Sequence, residues 1–175
     1  MDTVELATHR VERITRAIKG SAQGWRFAPV VWALQALRGL QFVHAVTLIS
    51  ELGDLSRFTE PRQLMAYLGL VPTENSSGER RQGAITKSGN RFARRALIEA
   101  AWAYQHPARV TPIIARRQTG LPKAARDIAW KAQLRLCARF RKLCARRLNK
   151  NKVVVAIARE LSGFVWAIAR EVKIP

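Results

Sequence analysis

Two adjacent serines, Ser76 and Ser77, stand before Gly78, and every charged side chain from Arg80 to Arg95 is positive. A serine hydroxyl becomes a useful nucleophile when a base takes its proton or a field stabilises the alkoxide. Guanidinium groups supply part of such a field, and they also steady the extra negative charge of a phosphoryl transition state. Arg80, Arg81, Lys87, Arg91, Arg94 and Arg95 lie close enough in sequence to act there, while Gly78 and Gly83 allow a ligand close to the backbone. On residue types alone, the same Ser-Ser-Gly step reads more simply as a turn.

The charge around this stretch is concentrated. The chain has 31 Lys and Arg against 12 Asp and Glu, a net +19. Residues 1–79 hold eight of each sign, whereas residues 80–152 hold 20 Lys and Arg and only Glu99 and Asp127. Such a block repels itself unless a polyanion covers it, and DNA or RNA is the leading partner. With 175 residues and 48% hydrophobic content, the chain suits one compact domain or two small ones. It has no run of eighteen apolar residues, and its first residues, MDTVELATHRVER, are charged rather than signal-like. The expectation is a soluble, cytoplasmic protein without a membrane partner.

No metal site is expected in this chain, because His9, His44 and His106 are scattered. Cys137 and Cys144, about 10 Å apart if their segment is helical, read as reduced core residues rather than a disulfide. Trp130, Phe164 and Trp166 likewise read as core.

The elements that must position these residues are helical, so the expected fold is all-α. Residues 2–19 predict a charged helix with little apolar face. Pro29 opens a second, and a turn at Arg38 and Gly39 leads into a third. Residues 59–68 predict a short helix capped by Thr59, with Pro61 in its first turn and Gly69 after its end. Residues 71–87 read as a loop or small hairpin. A helix follows over 89–105, with Phe92, Ala96, Ala100 and Ala103 inward. The longest helix spans 123–148, with Ile128, Ala132, Leu136, Phe140, Leu143 and Cys144 inward and Arg135, Arg139 and Arg146 among its outward cations. A last helix over 153–171 pairs with it as an antiparallel hairpin. The implied division is an N-terminal helix and linker over 1–28 and a main domain over 29–175, itself split at 29–52, 53–106 and 107–175.

Leu34, Leu37, Gly39, Leu40, Ala45 and Leu48 are spaced as in a helix-hairpin-helix DNA-binding element, where backbone N–H groups after the glycine turn meet a phosphate. Gln41 departs from that pattern, since a second glycine is usual there, and a purely structural helical hairpin remains the alternative.

Residues 51–104 contain, in order, GDLSRF, YLGLVP, SSGE, GAITKSGN and RRAL, and AIARELSGFVWAI follows at 156–168. This set resembles the C-terminal transposase domain of an insertion-sequence family whose full-length members begin with a DEDD, Holliday-junction-resolvase-like domain. The resemblance covers about residues 29–168. It implies a recombinase that cuts and rejoins DNA at element ends and targets, guided in some relatives by a bridge RNA and acting as a homo-oligomer. It also implies that Ser77 is the attacking residue, with Ser76 its bystander, and that the DEDD carboxylates hold Mg²⁺. Those carboxylates are not found in this sequence, so the DEDD domain is expected in cis or in trans, and the isolated chain is expected to recombine DNA poorly. The alternative is a non-catalytic nucleic-acid-binding module or a transposase remnant.

Overall fold

The computed structural model describes residues 3–75 and 81–175; side chains at 74, 75 and 81–83 also lie outside the description. Eight α-helices and one β-hairpin make up the regular structure of the described residues, with two short 3-10 turns at Leu55–Arg57 and Trp102–Gln105.

Helix α1, Thr3–Ala22, buries only Ala22. Contrary to the sequence expectation, it does have an apolar stripe: Val4, Ala7, Val11, Ile14 and Ile18 recur at alternating three- and four-residue steps. Val4 and Val11 are 69% and 63% exposed, so nothing in the described chain covers the first three turns of it. Helix α2, Ala28–Leu34, starts with Pro29 in its first turn, where the missing N–H is not needed. A tight turn then leads into α3, Phe42–Leu52. The turn needs Gly39: its φ is +84°, and a Cβ there would sit 2.1 Å from the carbonyl oxygen of Ala100.

Helix α4, Pro61–Tyr67, is entered through Glu60 rather than Thr59, and no side chain caps it. Instead the N–H of Thr59, one residue before the cap position, donates to the Gln63 side chain at 2.9 Å. Strands β1, Pro72–Asn75, and β2, Arg81–Ile85, pair antiparallel with an irregularity between Pro72 and Glu74. Helix α5, Arg91–Ala101, is capped by Asn90, whose Oδ1 accepts from the N–H groups of Phe92 and Ala93. Helix α6, Pro112–Gln118, was not expected from periodicity; Thr111 caps it.

Helices α7, Lys123–Ala145, and α8, Lys150–Arg170, form the expected antiparallel hairpin. Helix α8 also packs on α2, α4 and α5. Its Val154, Ile157, Leu161, Val165 and Ile168 are fully or almost fully buried in one apolar cluster that runs from Ala22 to Ala169. Each such side chain contributes about 1.5–3 kcal/mol by leaving water, so α8 is the element the other helices close around.

Two inward assignments fail. Phe92 is 51% exposed, because α5 turns Ala93, Ala96, Leu97, Ala100 and Ala101 to the core. Trp130 is 40% exposed, because α7 buries the row Ala125, Ala129, Ala132, Leu136 and Phe140 and residue 130 lies off it. Trp166 does pack inward, and its indole N–H donates to the carbonyl of Phe58 at 2.8 Å. Both cysteines are free; Cys137 is buried, and that burial pushes its thiol up.

Candidate nucleic-acid interface

The β-hairpin grows from a crossing of backbones. Gly69, at the end of α4, has φ +62°, and a Cβ there would lie 2.1 Å from the carbonyl oxygen of Ser88. Gly89, before α5, has φ +85°, and a Cβ there would lie 1.9 Å from the carbonyl oxygen of Tyr67. Only glycine fits where two chains pass so closely in the left-handed region. Hydrogen bonds then tie the stem: the N–H of Lys87 donates to Gly69 at 3.1 Å, that of Thr86 to Val71 at 2.9 Å, and Thr73 Oγ1 to Ala84 at 3.0 Å. The amide of Asn90 donates to Glu51 on α3.

Arg94 completes this base. Its Nη1 donates to the carbonyl of Leu68 at 2.9 Å and to that of Ser88 at 3.2 Å, and the side chain is half-buried. Sequence reasoning grouped it with the cations available to a ligand; the structure engages it in holding the hairpin to α4. Ser76, Ser77, Gly78 and Arg80, which join the strands, lie outside the described residues. Arg81 is the first residue of β2, with its side chain also outside the description.

The remaining candidate cations fall into two groups along the chain. Lys87, Arg91 and Arg95 are exposed beside the stem, and Lys87 holds a left-handed φ of 56°. Arg95 Nε donates to Glu99 at 2.6 Å, and His44 Nε2 lies 3.3 Å from the other oxygen of that carboxylate. The hydrogen bond from Arg95 holds the Glu99 carboxyl below the ordinary carboxylate range. On α7, Arg135 donates to Glu160 of α8 at 2.8 Å, and Arg139 is ion-paired with the other oxygen of that carboxylate at 2.6 Å. Arg146 is exposed just past the end of α7. Paired arginines keep their remaining N–H donors for a second anion.

Gly39 is accounted for by its approach to α5. Arg117 on α6 donates to the carbonyl of Leu40 at 3.0 Å and Gln118 to that of Ala36 at 3.3 Å, and Arg38 reaches the carbonyl of Pro107 at 2.7 Å. These contacts, which sequence reasoning missed, lock the turn between α2 and α3.

Among the described residues there is no group of three or more His, Cys, Asp or Glu side chains placed to hold a metal ion. Several of the acids are occupied otherwise. Asp54 accepts the N–H of Ser56, which holds its carboxyl down; Asp127 pairs with Lys123; Glu51, Glu99 and Glu160 serve as described. These residues do not fit a Mg²⁺ cage. Nor is any helix among them long and apolar enough to cross a membrane.

The described residues thus form a helical fold with one β-hairpin, and exposed cations stand on the residues that follow that hairpin. Residues 32–113 match the profile of the transposase IS116/IS110/IS902 family. The chain is 48% identical over 163 residues to a protein named as a transposase, y4qE, of Sinorhizobium fredii, covering 93% of this chain and 42% of that one. It is 28% identical over 170 residues to a protein named as a family 20 transposase of Pseudomonas aeruginosa, covering 96% and 42%. It is 28% identical over 136 residues to the transposase for insertion sequence element IS1111A of Coxiella burnetii, covering 77% and 31%. The chain therefore spans well under half the length of these relatives.

Proposed function

We propose that this chain is the DNA-holding, serine-bearing part of a transposase, and that Ser77 is its nucleophile. The observation that carries the reading is the hairpin stem, locked between α4 and α5 by Gly69, Gly89 and Arg94, with Ser77 in the connection between its strands. A reacting group gains most from a support that does not move. In the proposed step the serine Oγ bonds to a DNA phosphorus, the ester bond to the neighbouring sugar oxygen breaks, and that oxygen takes up a proton. Arg80, Arg81, Lys87, Arg91 and Arg95 neutralise charge around the phosphate, and Arg135, Arg139 and Arg146 hold DNA, or a guide RNA, further off. Gly39 is left as part of the turn after α2.

The names of the matched relatives, all transposases, support DNA as the partner. An acidic segment holding Mg²⁺ acts with this chain, supplied in cis or in trans. Self-association is also part of the reading. The exposed stripe of α1 is coiled-coil-spaced; its acids Glu5 and Glu12 fall in the first half, with Arg10 between them, and Arg13, Arg16 and Lys19 follow. A second copy lying against it would cover the stripe.

The test mixes element-end DNA, the acidic domain and this chain, and scores covalent protein–DNA adduct on a denaturing gel. Wild type and Ser76→Ala should form it, and Ser77→Ala should not. An adduct with Ser77→Ala as abundant as with wild type would sink the assignment.

A further inference from the structure

We infer that Phe92, with Arg91, is a stacking platform for an unpaired nucleobase at the foot of the hairpin. This rests on the nucleic-acid reading above and deepens it. A single exposed aromatic ring is ordinary on a protein surface. The surroundings of Phe92 are not. Its side chain is 51% exposed on a helix whose other large apolar groups turn inward. The Arg91 guanidinium carbon lies 4.7 Å from the ring centroid, within the range of a cation–π contact.

Lys87 and Arg95, both exposed, flank the same end of α5, and Glu99 beyond them is engaged by Arg95 and His44. An apolar, fatty partner would gain nothing from this cationic rim. A phosphodiester strand gains at both places: its base lies on the ring while Arg91 and Arg95 meet the phosphates on either side. The backbone beneath the platform is also held before any ligand arrives. The N–H of Phe92 is held by the Asn90 cap, and Arg94 ties the preceding turn to α4. Little ordering is then left to be done on binding.

The base must be unpaired. In a duplex both faces of every base are stacked on neighbours, so a ring on a protein surface reaches only a base that has been splayed out or lies in a single strand. Phe92 is five residues after Lys87, in the first turn of the helix that follows the hairpin, so the platform would hold a base at the hairpin's foot.

The experiment uses the full chain and a DNA oligonucleotide carrying 2-aminopurine, presented as a single strand or as a fully paired duplex of the same sequence. Wild type, Phe92→Ala and Phe92→Tyr are compared by anisotropy and by quenching of the 2-aminopurine. Phe92→Ala should lose about 5- to 150-fold in single-strand affinity, lose the quench, and bind duplex within about twofold of wild type; Phe92→Tyr should restore both. Unchanged single-strand affinity and quench in Phe92→Ala would overturn the platform alone. Equal losses on both ligands would also overturn it, as they indicate a packing role. Failure of the wild type to bind either ligand would overturn the nucleic-acid reading itself, and the platform with it.

Discussion

Two arginines one residue apart do different work. Arg94 is spent on the carbonyls of Leu68 and Ser88, so Arg94→Met should destabilise the fold by about 2 kcal/mol in chemical denaturation. Arg95 is 80% exposed, so Arg95→Ala should leave stability nearly unchanged while lowering affinity for all DNA sequences alike. The two glycine types separate the same way. Gly89→Ala should cost more than about 2 kcal/mol, because strain at φ +85° adds to a clash with the Tyr67 carbonyl. Gly120→Ala, at φ +76° with nothing within 4 Å, should cost about 1 kcal/mol from strain alone. Glu99 titrates below its ordinary 4.5, so its contribution is present above that value and is lost as pH falls through the folded-state value. As a largely exposed pair it contributes little, and Glu99→Gln should flatten the acid limb of the stability curve only slightly.

At the scale of elements, the sequence was most readable where spacing and punctuation agreed. The α7–α8 hairpin, the Gly39 turn and the entry to α4 through Pro61 follow from apolar periodicity and from proline and glycine placement. The inward row read for α5 holds at Ala96 and Ala100 and fails at Phe92, because alanines occupy several faces of the helix and the ring looked like its anchor. Helix α6 is too short to show a period; its signal was Thr111 before Pro112, a cap followed by a proline in the first turn. The stripe of α1 was hidden by the arginines between its apolar positions. If that stripe is a seam between copies, light scattering should show a dimer for the wild type and a monomer for the Val11→Asp, Ile14→Asp double variant. One mass for both would contradict it. The role of Arg94 was not legible at all, since nothing in RFARRAL distinguishes a clamp from a surface cation until the carbonyls it meets are in place.

For the whole molecule, the division of charge decides the partner. Because 20 of the 31 cations fall within residues 80–152, binding should weaken steeply with salt. With about six phosphate contacts on duplex DNA, log K against log salt should fall with a slope near −5, and Arg95→Ala should lessen it by about 0.9. The stem, the cations around it and the serines in its connection form one proposed device, and its claim is chemical. Trypsin should release Gln63–Arg80, which carries both serines, from the covalent complex. Tandem mass spectrometry of that peptide should place the nucleotide on Ser77. A nucleotide on Ser76, or on a peptide from elsewhere in the chain, would contradict the account.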